Sequence, residues 1–145
     1  MRGRRSDRGL TYLVSQAEHR LSARLRAALE PENCSIEEWR VLELLSDGDG
    51  HTMSELAEHA LLLAPTLTKL IDRLVSDNLV YRRADAEDRR RVRAYLTPRG
   101  TARFQSLRRL VTECEAGVGD ARAELTELLA ELVDTLDGRR SVSQR

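Results

Sequence analysis

Apolar residues recur at three- and four-residue steps along most of this chain, and the pattern breaks once, between Val80 and Leu96. There, two short runs with β-branched or aromatic members, Val80 to Arg83 and Val92 to Leu96, flank the polar stretch Ala84 to Arg91. A period near 3.6 marks helices buried along one face, and two strand-like runs around a polar interruption mark a hairpin. The chain is thereby restricted to a mainly α fold with a small β-hairpin. With 145 residues it forms one compact chain with a core of its own. Only 3% of residues are aromatic, against 33% charged, which suits helices more than a sandwich or barrel. No apolar run approaches the roughly 18 residues of a membrane span. The basic start, Met1 to Arg8, is followed by no apolar segment of the kind a secretory signal carries, so a cytoplasmic protein is expected.

Leu10, Leu13, Val14, Ala17, Leu21, Leu25, Ala28 and Leu29 line the first helix, which Pro31 ends. Ser35 with Glu38 reads as a capping box opening a second helix, Ile36 to about Leu45, and Thr52 with Glu55 repeats the device for a third, through His59. Ser46 to Gly50 is a loop by composition. Pro65 sits in the first turn of a fourth helix, whose stripe is Leu67, Leu70, Ile71 and Leu74 and whose terminator is Asn78. After the hairpin, Thr97 and Pro98 read as an N-cap and first-turn proline of a long helix to about Ala116. Gly117 to Asp120 breaks it, and Leu125, Leu128, Leu129, Leu132, Val133 and Leu136 line a final helix. Four segments follow: residues 1–34 as an N-terminal arm and helix, 35–97 as the central unit, 98–137 as the C-terminal helices, and 138–145 as a flexible tail.

Formal net charge is zero, but it is unevenly spread. Leu61 to Gly100 holds nine Lys or Arg against five acids, whereas Pro31 to Ala60 holds eight acids and Arg40 alone. Positive charge therefore gathers on the fourth helix and the hairpin, as expected of elements that face nucleic acid. Two short helices with a tight connection, the second leading into a basic hairpin, constitute a winged helix-turn-helix, whose second helix enters a major groove. Small or hydrogen-bonding residues must open that helix, and Ala64, Pro65, Thr66, Thr68 and Lys69 satisfy this, with Arg73 one turn on as an expected phosphate contact. Arg89, Arg90 and Arg91 stand at the wing tip.

The segments Glu38 to Leu42, Glu55 to Ala57, Pro65 to Leu74, Asp85 to Arg90 and Leu96 to Gly100 together resemble the MarR family of bacterial transcription regulators. Asp88-x-Arg90 followed by Leu96-Thr97-x-x-Gly100 carries most of the resemblance, which spans most of the chain. It implies that Arg90 reaches into a minor groove, where narrow A·T tracts concentrate negative potential. Asp88 is then expected to orient the arginines, since a carboxylate is repelled by phosphate. One departure stands out: Leu61-Leu62-Leu63-Ala64 replaces the serine that often caps the recognition helix in this family.

The resemblance also implies a homodimer built through the terminal helices, a pseudo-palindromic double-stranded DNA operator, and a repressor released by a small organic effector, an aromatic acid being the leading class. Tyr12, Gln16, His19, Arg20, Trp39 and Arg40 are the effector-binding candidates. An alternative input is oxidation of Cys34 or Cys114, and an alternative role is protein contact through the wing. The two cysteines form no C-x-x-C pair, and His19, His51 and His59 lack ligand spacing, so no metal and no cofactor is expected. No nucleophile with a base is visible, so an enzyme is not expected.

Overall fold

A computed structural model describes residues 8–139. The expected basic arm before Arg8 and the tail beyond Arg139 lie outside the described residues. Helix α1 runs from Leu10 to Leu29, and a 3-10 turn at Glu30–Glu32 follows, with Pro31 inside it. Asn33, at φ 51°, then turns the chain into α2, Ile36–Leu45. A short strand β1, His51–Thr52, leads into α3, Met53–Ala60. Helix α4 spans Ala64–Ser76, strands β2 and β3 span Val80–Ala84 and Val92–Leu96, and α5 and α6 span Pro98–Ala116 and Arg122–Leu136.

The sheet corrects the two-stranded reading. It has three strands in the order β1-β3-β2, all antiparallel, with His51 opposite Ala94 and Thr52 opposite Arg93. In the hairpin itself Val80 faces Leu96, Arg82 faces Ala94 and Ala84 faces Val92. β1 ties the base of the wing to the segment that enters α3. Gly50 adjoins it at φ 72°, a left-handed conformation that favours glycine, and a Cβ there would have to displace the Tyr95 ring.

The serine and threonine caps form where the sequence places them, but neither glutamate closes its box, and Glu55 pairs with His51 instead. Ser35 Oγ accepts from the Glu38 amide at 3.0 Å, Thr52 Oγ1 from Glu55 at 3.2 Å, and Thr97 Oγ1 from Gly100 at 2.9 Å. Glu38 does not complete its box. Its carboxylate is buried and serves two arginines instead of its own helix end. Asn78, at φ 57°, terminates α4, and the Leu79 amide then donates to the Leu74 carbonyl at 2.9 Å.

Contacts divide the chain between Val111 and Thr112, within α5. The unit up to Val111 has two apolar clusters. One joins Val41 and Leu45 of α2, Leu56 and Ala60 of α3, and Leu67, Ile71 and Leu74 of α4 with Leu79, Val80 and Ala94. The other joins Leu29, Cys34, Ile36, Trp39 and Leu42 with Phe104, Leu107 and Val111. Each large apolar side chain in these clusters contributes about 1.5–3 kcal/mol on burial. The first four turns of α5 therefore share a core with α2. In the unit from Thr112, Leu125, Leu128, Leu129, Val133 and Leu136 of α6 are all exposed. So are Leu10, Tyr12, Leu13, Val14 and Leu21 of α1 in the first unit.

Candidate nucleic-acid interface

Leu67, Ile71 and Leu74, at i, i+4 and i+7, turn one face of α4 into the core. The remaining face, with Ala64, Pro65, Thr66, Thr68 and Lys69, is exposed from its first turn onward. Leu63 stands at the N-cap in extended conformation and offers no side-chain bond, and Pro65 lacks an amide hydrogen. Uncapped first-turn amides at a positive helix end attract phosphate oxygens. Thr68 Oγ1 donates back to the Ala64 carbonyl at 3.0 Å, which leaves its lone pairs outward as acceptors. The approach to α4 is tight: Leu61 takes a left-handed conformation at φ 58°, and the Leu62 amide donates to the Ala57 carbonyl at 2.9 Å. Leu61 and Leu63 are both more than 70% exposed.

The wing tip is built by two aspartates acting on the backbone. Asp85 Oδ1 accepts from the Glu87 amide at 2.9 Å, and Asp88 Oδ1 accepts from the Arg90 amide at 3.0 Å. The Asp85 amide donates to the Arg91 carbonyl, closing the loop, and the Arg91 amide donates to the Asp88 carbonyl, both at 2.9 Å. Asp85 Oδ2 also pairs with Arg93 Nε at 2.9 Å, and Arg93 Nη1 donates to the Gly50 carbonyl at 3.0 Å. Hydrogen bonds from the Glu87 amide and from Arg93 hold the Asp85 carboxyl below its ordinary range. Arg93 is thus a brace between wing and loop. Arg89, Arg90 and Arg91 remain exposed, and among the described residues Arg89 and Arg90 have no ion-pair partner. Arg91 Nε lies 3.9 Å from Asp88 Oδ2.

Arg73, the expected phosphate contact, is exposed and also makes an ion pair within the protein. Its Nη2 lies 3.1 Å from Glu38 Oε2, so part of its charge is already balanced inside the protein. Two groups nearby escaped the sequence reading. Arg82 of β2 pairs with Asp72 of α4, fixing the wing strand to the recognition helix. Leu63 presents an apolar side chain at the very start of that helix. The only sequence signal for Leu63 was its departure from the usual serine.

The six effector candidates differ in setting. Trp39 is buried and stacks on Phe104, with ring centroids 5.4 Å apart and planes 11° from parallel. Arg40 Nη1 makes a long contact, 3.4 Å, to the Ala60 carbonyl. Tyr12, His19 and Arg20 are exposed on α1, and Tyr12 Oη accepts from Gln16 Nε2 at 2.7 Å. The span from Tyr12 to Leu29, where α1 meets the core, is about 25 Å at 1.5 Å per residue. A polar crevice of about 370 Å³ exists elsewhere, where Glu38, Arg73, Arg99 and Arg103 meet, and none of the six lines it.

A helix pair whose second member bares a polar, uncapped N-terminus, followed by a braced cationic hairpin, defines a winged helix-turn-helix DNA-binding protein. Residues 34–92 match the model of the MarR family. The chain is 30% identical over 131 residues to the HTH-type transcriptional regulator FarR of Neisseria gonorrhoeae, covering 87% of this chain and 90% of that protein. It is 26% identical to the homoprotocatechuate degradative operon repressor of Escherichia coli, covering 86% and 87%. The crystal structure of NadR in complex with 4-hydroxyphenylacetate superposes with a TM-score of 0.74 at 25% identity, covering 99% of this chain and all of that one. The chain belongs to the MarR family and is a transcription regulator. Among the described residues no helix is long and apolar enough to cross a membrane.

Proposed function

We propose that this chain is a cytoplasmic, operator-specific repressor that binds DNA as a homodimer and lets go when a small aromatic acid binds. The observation that carries the DNA reading is the pairing of two bare surfaces on one rigid base. The α4 N-terminus presents Ala64, Pro65, Thr66, Thr68 and Lys69 to a major groove, and the wing presents Arg89, Arg90 and Arg91 to the adjoining minor groove. Arg90 is the minor-groove arginine, and Asp88 serves by shaping its turn. Catalysis has no part in this reading.

The exposed apolar faces of α1 and of α6 each support dimer formation, since bare leucine-rich helix faces are what a partner copy buries. Two recognition helices about 34 Å apart would then read a pseudo-palindrome. Effector class is inferred from the relatives, one a repressor of homoprotocatechuate degradation and one solved with 4-hydroxyphenylacetate. Exposure of Tyr12, His19 and Arg20 on the same helix as the bare apolar face of α1 supports a pocket, with Gln16, Trp39 and Arg40, completed by the second copy. An effector bound there changes the spacing of the two recognition helices, so both half-sites cannot be held together.

The test compares a fragment from the gene's own upstream region with scrambled DNA of equal length at physiological salt. Selective binding is expected, and equal affinity would refute the repressor reading in favour of a non-specific or protein-binding wing. Arg90→Ala should weaken operator binding by about 1–3 kcal/mol with an unchanged melting temperature. Wild-type affinity in that variant removes Arg90 from the interface. An operator complex that ignores a panel of aromatic acids removes the effector arm alone.

A further inference from the structure

Glu38 is one of few buried polar residues, 3% exposed, and both of its carboxylate oxygens are taken. Oε2 lies 3.1 Å from Arg73 Nη2 on α4, and Oε1 lies 3.1 Å from Arg103 Nε on α5. Arg103 Nη2 in turn donates to the Glu32 carbonyl at 3.0 Å, just ahead of α2. One side chain thus ties together three elements that are far apart in sequence, and it does so at the wall of the polar crevice. Apolar packing joins α2 to α4 and to α5, and these paired bonds add a directional tie at the crevice wall.

We propose that Glu38 is a positioning residue for DNA binding: it fixes the recognition helix against α2 and α5 by holding Arg73 with one oxygen and Arg103 with the other. Arg73 lies one turn beyond Lys69 on α4. Turned back to Glu38, it supports the operator complex through the placement of α4 and not by neutralising a phosphate. A carboxylate that grips two guanidinium groups from different helices resists both rotation and sliding of α4, because either motion breaks a charge-assisted bond to a buried group. Arg103 separates positioning from phosphate contact, because it belongs to α5 and spends its bonds on Glu38 and the Glu32 carbonyl.

The experiment measures operator and non-specific DNA affinity across a salt series for the full chain and for Glu38→Gln, Arg103→Gln and Arg73→Gln, with thermal melts of each. Counterion release makes the slope of log K against log salt shallower by about 0.9 for every phosphate that a variant no longer neutralises. All three variants are expected to lose about tenfold or more in operator affinity, to keep the wild-type slope, and to keep their non-specific affinity. A purely structural role would reduce specific and non-specific binding together, in proportion to the folded fraction, and would overturn the proposal. So would a flatter slope for Arg73→Gln alongside wild-type affinity for Glu38→Gln. If Glu38→Gln unfolds below the assay temperature, Arg103→Lys carries the test: it keeps the charge but not the guanidinium geometry, and wild-type operator affinity would refute positioning. The proposal rests on operator binding by the wild type, and a wild type without selectivity fails the function proposed above before any variant is compared.

Discussion

A thiol that senses peroxide must be reachable and must lose its proton near neutral pH. Cys34 does neither. It is 6% exposed in the cluster of Trp39 and Phe104, and burial, reinforced by the negative charge of Glu38, pushes its thiol up to about 12. Its Sγ donates to the Ser35 carbonyl at 3.2 Å, as a small apolar residue with a spare hydrogen would. Cys34 should therefore stay unlabelled by a thiol reagent at pH 8 in the native protein and become labelled in denaturant, as peptide mapping would show. Operator binding by a Cys114→Ser variant should survive peroxide. Labelling of native Cys34, or loss of binding in that variant, would bring oxidation sensing back.

At the scale of elements, the loop before β1 is pinned by a histidine between two acids. His51 Nε2 lies 2.6 Å from Asp47 Oδ2 and Nδ1 lies 2.8 Å from Glu55 Oε2. Only the imidazolium can donate to both. Burial opposes that charge, but hydrogen bonds and attraction from Asp47 and Glu55 outweigh it and raise the His51 pKa above 6.5, while Arg93 of β3 acts on Glu55. A raised value means stability fully present below about pH 6.5 and lost as pH climbs through the folded value. The carboxyls of Asp47 and Glu55 are lowered, so their share is present above about pH 4 and fades in acid. His51→Gln should cost most stability near pH 6 and progressively less toward pH 9, read by denaturant unfolding at each pH. An equal cost throughout would mean that the neutral ring suffices.

This pin also shows where sequence reading stops. Helices α1, α2, α4 and α5, and the hairpin, were legible to within a residue or so, because local periodicity and capping dictate them. β1 was not, because two residues carry no period and its partners, Arg93 and Ala94, lie some forty positions away. Glu38 was legible as a cap residue only in its backbone. Where its carboxylate goes depends on arginines 35 and 65 positions downstream. Spacing and charge single out the wing arginines but say nothing of the ion pair that Arg73, of the same residue type, makes with Glu38. The effector candidates were chosen by chemistry, and chemistry does not reveal that Trp39 is enclosed while Tyr12 stands at the far end of α1.

For the whole molecule, the dimer reading ties stability to concentration. A chain that leaves Leu10, Leu13, Leu21, Leu128 and Val133 bare gains folding free energy when a second copy covers them. Its melting temperature should rise with protein concentration, and sedimentation should give a mass near twice the 16.4 kDa of one chain. A monomer with a concentration-independent melt would refute the dimer. The same uncovered leucines bear on how sharply a gene is silenced. Where chains pair only as they become abundant, the species that spans both half-sites grows with the square of the chain concentration. Halving the supply then leaves about a quarter of it, and a promoter under this protein would switch over a narrower range of expression than one held by a preformed clamp.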